Sequence, residues 1–167
     1  MSRRFPETRM RRLRKHAWIR DLTAEHSLQA ADLILPVFVH ELNDSSEIPG
    51  MPGVRRLSID DLLKTAHQAC EYGISALMLF PIVSSSKKDT QGSEAISEKN
   101  IVVKSLQALQ TAQLPIGIIC DVALDPFTTH GHDGILDNYG DVDNDATIAI
   151  LADQALLYAN HGANIIA

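Results

Sequence analysis

The sequence predicts an α/β fold, in the form of the first half of a (β/α)8 barrel behind an extended N-terminal arm. Four apolar runs, at 33–39, 74–80, 116–122 and 163–167, recur at an interval of about 41 residues, too long for hairpins and right for strand–helix units with long loops. Three segments of helical period lie between them, and apolar strands alternating with helices imply a parallel sheet covered by helices. A doubly wound sheet and a barrel both satisfy that alternation. The polar residues favour the barrel, because every complete strand ends in polar or proline-marked material: His40, then Pro81 with Ser84 to Lys88, then Asp121 onward. No G-x-G-x-x-G follows the first strand, which removes the commonest reason for a dinucleotide-binding sheet. Four units are half of eight. A half-barrel exposes strand edges and an apolar interior, so the chain is not expected to be a self-sufficient functional unit.

Residues 1–30 read as a basic arm and 31–167 as the half-barrel, with four strands. The first 20 residues carry eight Lys or Arg against Glu7, a charge of +7, which leaves −13 for the remainder of a chain of net charge −6. Such an arm serves nucleic-acid contact, organelle targeting or docking on an acidic neighbouring subunit. Few aromatics in the arm and an acidic body argue against nucleic acid. The arm is also poorer in serine than a transit peptide. Self-association through the arm is the expectation, and a solvated tail is the bland alternative.

In the body, the first helix opens at Ser58 with Asp61 three residues on, resembling a capping box, and stops at Gly73. Its Leu62, Leu63, Ala66, Ala69 and Cys70 share one face. The second, at 97–112, sets Ile101, Val102, Leu106 and Leu109 at helical spacing before Pro115 starts the next strand. The third begins near Asp143 or Asn144 and ends at His161-Gly162, with Ile148, Leu151, Ala152, Ala155, Leu156 and Ala159 turned inward. At 45% hydrophobic residues the chain can bury one ordinary core. No run reaches the ~18 apolar residues a membrane span needs. Cys70 and Cys120 sit in apolar segments as packing residues, which fits a reducing cytoplasm.

The chemistry-bearing residues gather in Asp121-Val-Ala-Leu-Asp-Pro-Phe-Thr-Thr-His-Gly-His-Asp-Gly134, a density of carboxylates and imidazoles that no linker needs. Strand alternation puts Gly117, Ile119 and Asp121 on one face and Ile116, Ile118 and Cys120 on the other. If the first face is the interior, Asp121 points into the barrel mouth, where a buried carboxylate requires a cation, a metal or a substrate ammonium. Capping of the loop backbone is the ordinary alternative. Asp125 and Asp133 are further candidate site carboxylates, with Asx turns as their ordinary alternative. His130 and His132 would be a metal pair in an amidohydrolase-type barrel, but there the pair ends the first strand. Here they are read as hydrogen-bonding residues that shape the loop, with Gly131 and Gly134 relieving backbone constraint. Lys87 and Lys88 read as hydrated, protonated ammoniums of a mobile lid or subunit contact, not as imine nucleophiles. His16, His26, His40, His67 and His161 read as surface or cap residues, and no metal ligand is assigned.

That loop, together with Thr8-Arg-Met-Arg-Arg-Leu-Arg-Lys15, Leu35-Pro-Val-Phe-Val39, Ile48-Pro-Gly-Met-Pro-Gly-Val-Arg-Arg-Leu-Ser58 and Lys87-Lys-Asp-Thr-Gln-Gly-Ser-Glu-Ala95, resembles the porphobilinogen synthase (delta-aminolevulinic acid dehydratase) family. The order is the family's, and the resemblance covers nearly the whole chain. It implies a barrel, a homo-octamer embraced by its arms, and a cytoplasmic lyase of porphyrin and haem biosynthesis that condenses two 5-aminolevulinate molecules to porphobilinogen with loss of water. It further implies that Asp121 lines the substrate site, and that Ala123, Asp125 and Asp133 stand where zinc-dependent members carry three cysteines. Alanine cannot ligate and carboxylates prefer hard cations. The chain therefore looks like the zinc-independent type, without catalytic zinc and with Asp125 and Asp133 free for a cation or the substrate amine. An allosteric Mg2+ and the family's two imine-forming lysines are expected past residue 167, so the segment alone is expected to be inactive. Two other readings stay open: a barrel metallohydrolase using His130 and His132, and a non-catalytic assembly fragment whose arm binds complete subunits.

Overall fold

Alternation along the strands sorts the apolar residues into two layers. In the computed structural model, which describes residues 4–9 and 11–167, the strands in chain order are β1 (Ile34–His40), β2 (Ser46–Glu47), β3 (Arg55–Leu57), β4 (Ala76–Ile82), β5 (Gly117–Cys120) and β6 (Ile165–Ile166). They form one mixed sheet in the order β2-β3-β1-β4-β5-β6. Each strand from β1 to β4, β5 and β6 adds parallel on the same side of its predecessor, β3 flanks β1 in parallel, and β2 is antiparallel to β3. The helices are α1 (Ala17–Leu22), α2 (Ile59–Glu71), α3 (Ile101–Ala112) and α4 (Asn144–Asn160). Val37, Val39, Leu77, Leu79, Ile118 and Cys120 meet Leu62 and Ala66 of α2, Val103 and Leu106 of α3, and Leu157 and Tyr158 of α4 in one core. The expectation of four strands is thus corrected to six, since β2 and β3 are too short for a period-2 pattern to register.

Helix α2 carries the face expected of it. Ser58 Oγ accepts from the Asp61 N–H at 3.3 Å, but Asp61 does not return the bond as a capping box requires. Instead Ser45 Oγ donates to Asp61 Oδ2 at 2.6 Å and accepts from the Ser58 N–H at 3.0 Å, so a residue from the preceding loop closes the box. Helix α3 begins at Ile101, later than 97, because Ser93–Ile96 form a separate 3-10 turn and Asn100 caps the helix through the Val103 N–H at 2.9 Å. The inward face expected of α4 is right only in part: Leu151 packs against the core of the loop after β5 and Ala155 is half-buried, but Ala152 and Ala159 are exposed. Ile148 and Leu156 are 56% and 62% exposed, and the buried positions are Thr147, Gln154, Leu157 and Tyr158. Apolar residues surround this helix on all sides, so hydrophobicity does not orient it.

Candidate active site

The loop after β5 has its own small core. Leu124, Phe127 and Ile135 pack with Ala95, against Val83, Ala146, Ile150 and Leu151. The Phe127 and Thr128 N–H groups both donate to the Leu124 carbonyl, at 2.9 and 3.0 Å, turning the chain back on itself. The loop is also laced to the one after β4. The Asp89 N–H donates to the Phe127 carbonyl at 3.3 Å, the Thr129 N–H to the Asp89 carbonyl at 2.9 Å, and His130 Nε2 pairs with the Thr90 carbonyl at 3.3 Å.

At the carboxyl ends of β1, β4 and β5 these two loops rim a cavity of about 400 Å³, whose lining includes Phe38, Phe80, Lys88, Asp121, Asp125 and Pro126. Phe38 and Phe80 face each other with ring centroids 5.6 Å apart. Asp121 lies on the same side of the sheet, away from the helix-facing Ile118 and Cys120, as strand alternation predicts. Burial pushes its carboxyl above the usual range, and the Asp133 charge adds to the shift. Asp125 is raised in the same direction by burial, then by the charges of Asp133 and Asp121 and a hydrogen bond to Asp133. The structure therefore gathers Asp121, Asp125 and Asp133 into one electrostatic group, and among the described residues no lysine or arginine forms an ion pair with any of the three. Lys88 lines the same cavity, and among the described residues its ammonium makes no ion pair. A second cavity of about 420 Å³, between β1, β3 and α2, lies away from these groups.

Lys87 departs from the lid reading. Its ammonium sits 2.7 Å from a Glu41 oxygen and 2.9 Å from Glu94, and Lys104 adds a third tie to Glu41 at 2.6 Å. Hydrogen bonds to Glu41, then Glu94, raise the Lys87 pKa further. Burial raises Glu41, but its bonds to Lys104 and Lys87 outweigh that and leave it lowered. Lys87 is thus an ion-paired cation that ties the loop after β4 to Glu41 and Glu94, not the unpaired ammonium read from the sequence. Borohydride reduction in the presence of 5-aminolevulinate should leave no adduct on Lys87, because an imine requires the free amine. An adduct at Lys87 found by peptide mass spectrometry overturns that assignment.

His130 Nδ1 accepts from the His132 N–H at 3.2 Å, so its proton is on Nε2, facing the Thr90 carbonyl. Both ring nitrogens are engaged, and the rings lie 5.5 Å apart, centroid to centroid. Gly131 has φ +73°, a left-handed turn position. Gly134 needs a different explanation from Gly131: its backbone is unexceptional, but a Cβ there would stand 2.6 Å from Val142 and 2.8 Å from Thr147. Among the described residues no three His, Cys, Asp or Glu side chains converge as a metal-ligand group. Ala123 offers only its carbonyl, which accepts from Gln154 Nε2 at 3.2 Å. A thiolate-type zinc site does not fit these residues. Cys120 is buried, with its thiol pushed up to about 12 by burial and then by the Asp121 charge, and is chemically inert. His40 is not the surface residue expected: it is 4% exposed at the end of β1, and its Nε2 has no partner. The aromatic floor of Phe38 and Phe80 and the buried Gln154 were missed in the sequence. The first was visible in principle, since each lies two residues before the last residue of a strand whose carboxyl end leads into polar residues, His40 for β1 and Ser84 to Lys88 beyond β4.

The family model of delta-aminolevulinic acid dehydratase matches residues 7–167. The chain is 48% identical over 160 residues to the delta-aminolevulinic acid dehydratase of Chlamydia pneumoniae, covering 95% of this chain and 48% of that protein. It is 43% identical to the enzyme of Methanothermus sociabilis, covering 98% of this chain and 50% of the other. Among solved structures, the dehydratase of Toxoplasma gondii ME49, in complex with the reaction product porphobilinogen, superposes with a TM-score of 0.90 at 39% identity, over 95% of this chain and 46% of that one. The chain spans about half the length of the curated relatives it matches. With the family model spanning the arm, the sheet and the carboxylate loop alike, the chain belongs to the delta-aminolevulinic acid dehydratase family.

Proposed function

We propose that this chain forms the first half of the (β/α)8 barrel of a porphobilinogen synthase and supplies the amine-binding side of its active site. The observation that carries this reading is the group of three carboxylates, Asp121, Asp125 and Asp133, beside an aromatic floor at the carboxyl ends of parallel strands. Two further features support the barrel: strands β1, β4, β5 and β6 add in chain order without reversal, and the helices cover one face only. A doubly wound sheet would reverse its strand order and carry helices on both faces.

The substrate 5-aminolevulinate carries an ammonium, a ketone and a carboxylate. Asp121 and Asp125 receive the ammonium, and the upward shift of both carboxyls favours their accepting a proton from it, freeing the amine for C–N bond formation. Lys88, unpaired in the same cavity, meets the carboxylate. Imine chemistry is assigned to lysines outside these 167 residues, and an allosteric Mg2+ to ligands outside them as well. The arm self-associates in a homo-octamer of a cytoplasmic enzyme. Exposed Phe5, Trp18, Leu22 and Leu28 interleaved with its cations suit a protein surface better than free solvent. No helix among the described residues is long and apolar enough to cross a membrane.

Turnover of 5-aminolevulinate to porphobilinogen by the full-length protein carrying this sequence tests the reading, and its absence sinks it. The zinc-independent assignment is tested separately. Activity should survive a zinc-selective chelator and respond to magnesium, since Ala123 has no donor and two carboxylates are hard ligands. Converting Ala123, Asp125 and Asp133 together to cysteine should raise zinc affinity. An unaltered enzyme that loses all activity on zinc removal and regains it only with zinc would redirect attention to His130 and His132.

A further inference from the structure

Gln154, on the buried face of α4, is 0% exposed. Its Nε2 donates to the Ala123 carbonyl at 3.2 Å and to the Tyr158 hydroxyl at 3.0 Å. Ala123 lies midway between Asp121 and Asp125 in the chain, so Gln154 grips the backbone that carries both. Tyr158 is also fully buried, and nearby Asn100 donates through Nδ2 to the carbonyls of Glu94 and Ala95 at 3.3 and 3.0 Å. Glu94 in turn holds Lys87, next to Lys88. Buried polar contacts thus tie the loop after β5 to α4, and a separate set ties the cap of α3 to the loop after β4.

Stability alone does not account for Gln154. A carbonyl can only accept, so the amide nitrogen must face Ala123, and Oε1 is left buried without a partner. An apolar side chain of similar volume would remove that penalty but take the donor from the Ala123 carbonyl and the Tyr158 hydroxyl, so the two effects on stability oppose each other. We infer that Gln154 is a positioning residue that holds the Ala123 carbonyl so that the Asp121 and Asp125 carboxylates face the cavity together. The inference rests on the amine-binding role proposed above for those carboxylates.

The test compares two substitutions on the same helix face of the full-length protein. Gln154→Met keeps the volume and removes both the donor and the unpaired oxygen. Its melting temperature should change less than that of the cavity variant below, because the unpaired oxygen is lost together with the donor, while KM for 5-aminolevulinate rises and kcat/KM falls about tenfold or more. Leu157→Ala opens a cavity in the main core, so its melting temperature should drop while kcat/KM of the folded enzyme stays unchanged. Tyr158→Phe, which keeps the ring and removes the hydroxyl that Gln154 meets, should give a smaller rise in KM and serves if Gln154→Met does not fold. Hydrogen exchange over 121–130 should quicken in Gln154→Met and not in Leu157→Ala. Unchanged kcat/KM in an active Gln154→Met enzyme overturns the inference. Should the unaltered enzyme not turn over 5-aminolevulinate, the proposed function fails, and exchange alone decides the brace: unaltered exchange over 121–130 overturns it too.

Discussion

Asp121→Asn lowers kcat/KM of the full-length enzyme by about 100-fold and, at pH 7, raises its melting temperature. The first effect follows from the amine-binding role proposed above for Asp121: removing one partner of such an ion pair costs about 3 kcal/mol. The second follows from linkage. Burial, and then the Asp133 charge, raises the Asp121 pKa above its ordinary 3.8, so between that value and the raised one the folded state binds more protons than the unfolded state. Stability therefore falls as pH climbs through that window, and the penalty is fully present above the raised value. Asparagine never ionises and escapes it. The gain in melting temperature should be clear at pH 7 and should vanish as pH drops below the ordinary carboxylate range. Kinetics and thermal scans at both ends of that range check the pair of signs. A variant that is less active and also less stable at pH 7 contradicts this account, because it would make Asp121 a structural cap.

Gly134→Ala is expected to be the most damaging single-methyl change in the loop. The added Cβ meets Val142 Cγ1 at 2.6 Å and Thr147 Oγ1 at 2.8 Å. Thr147 cannot retreat freely, since its Oγ1 donates to the Asp143 carbonyl at 2.6 Å and accepts from the Ile135 N–H at 3.0 Å. Overpacking of this kind costs about 2–3 kcal/mol, or roughly 5–10 °C in melting temperature for a chain of this size. Asp133, the next residue, is displaced with it, so KM should rise as well. Gly140→Ala, at φ +88° but with open space around it, should lose only about 1 kcal/mol and leave KM unchanged. Equal losses at the two glycines, measured by thermal denaturation, contradict the packing argument.

What the sequence made legible was what local pattern encodes. Helices α2 and α3 alternate polar and apolar residues at helical spacing, so Leu62, Ala66, Leu106 and Leu109 could be placed in the core before any coordinates. The density of carboxylates between 121 and 134 marked the site. What escaped is decided between distant segments. Lys87 looks exposed beside its serines, but its partner Glu41 lies 46 residues away. Gln154 looks like one more surface residue on a helix that is apolar on every side, and its buried place follows from contacts such as that with Ala123, 31 residues away. β3 is recognisable only once β1 is beside it.

The contacts that stitch Asp89 and Thr90 to Phe127, Thr129 and His130 also limit how this site can evolve or be redesigned. Each loop is the other's template. Inserting or deleting one residue in either slides the backbone pairing by a full step and carries Lys88 or Asp125 off the cavity rim. Variation in length must then arise in both at once, or outside the laced stretch, for instance near the open turn at Gly140. Anyone grafting specificity from one family member to another should exchange the two loops as a single module, because either one transplanted alone arrives without its mould.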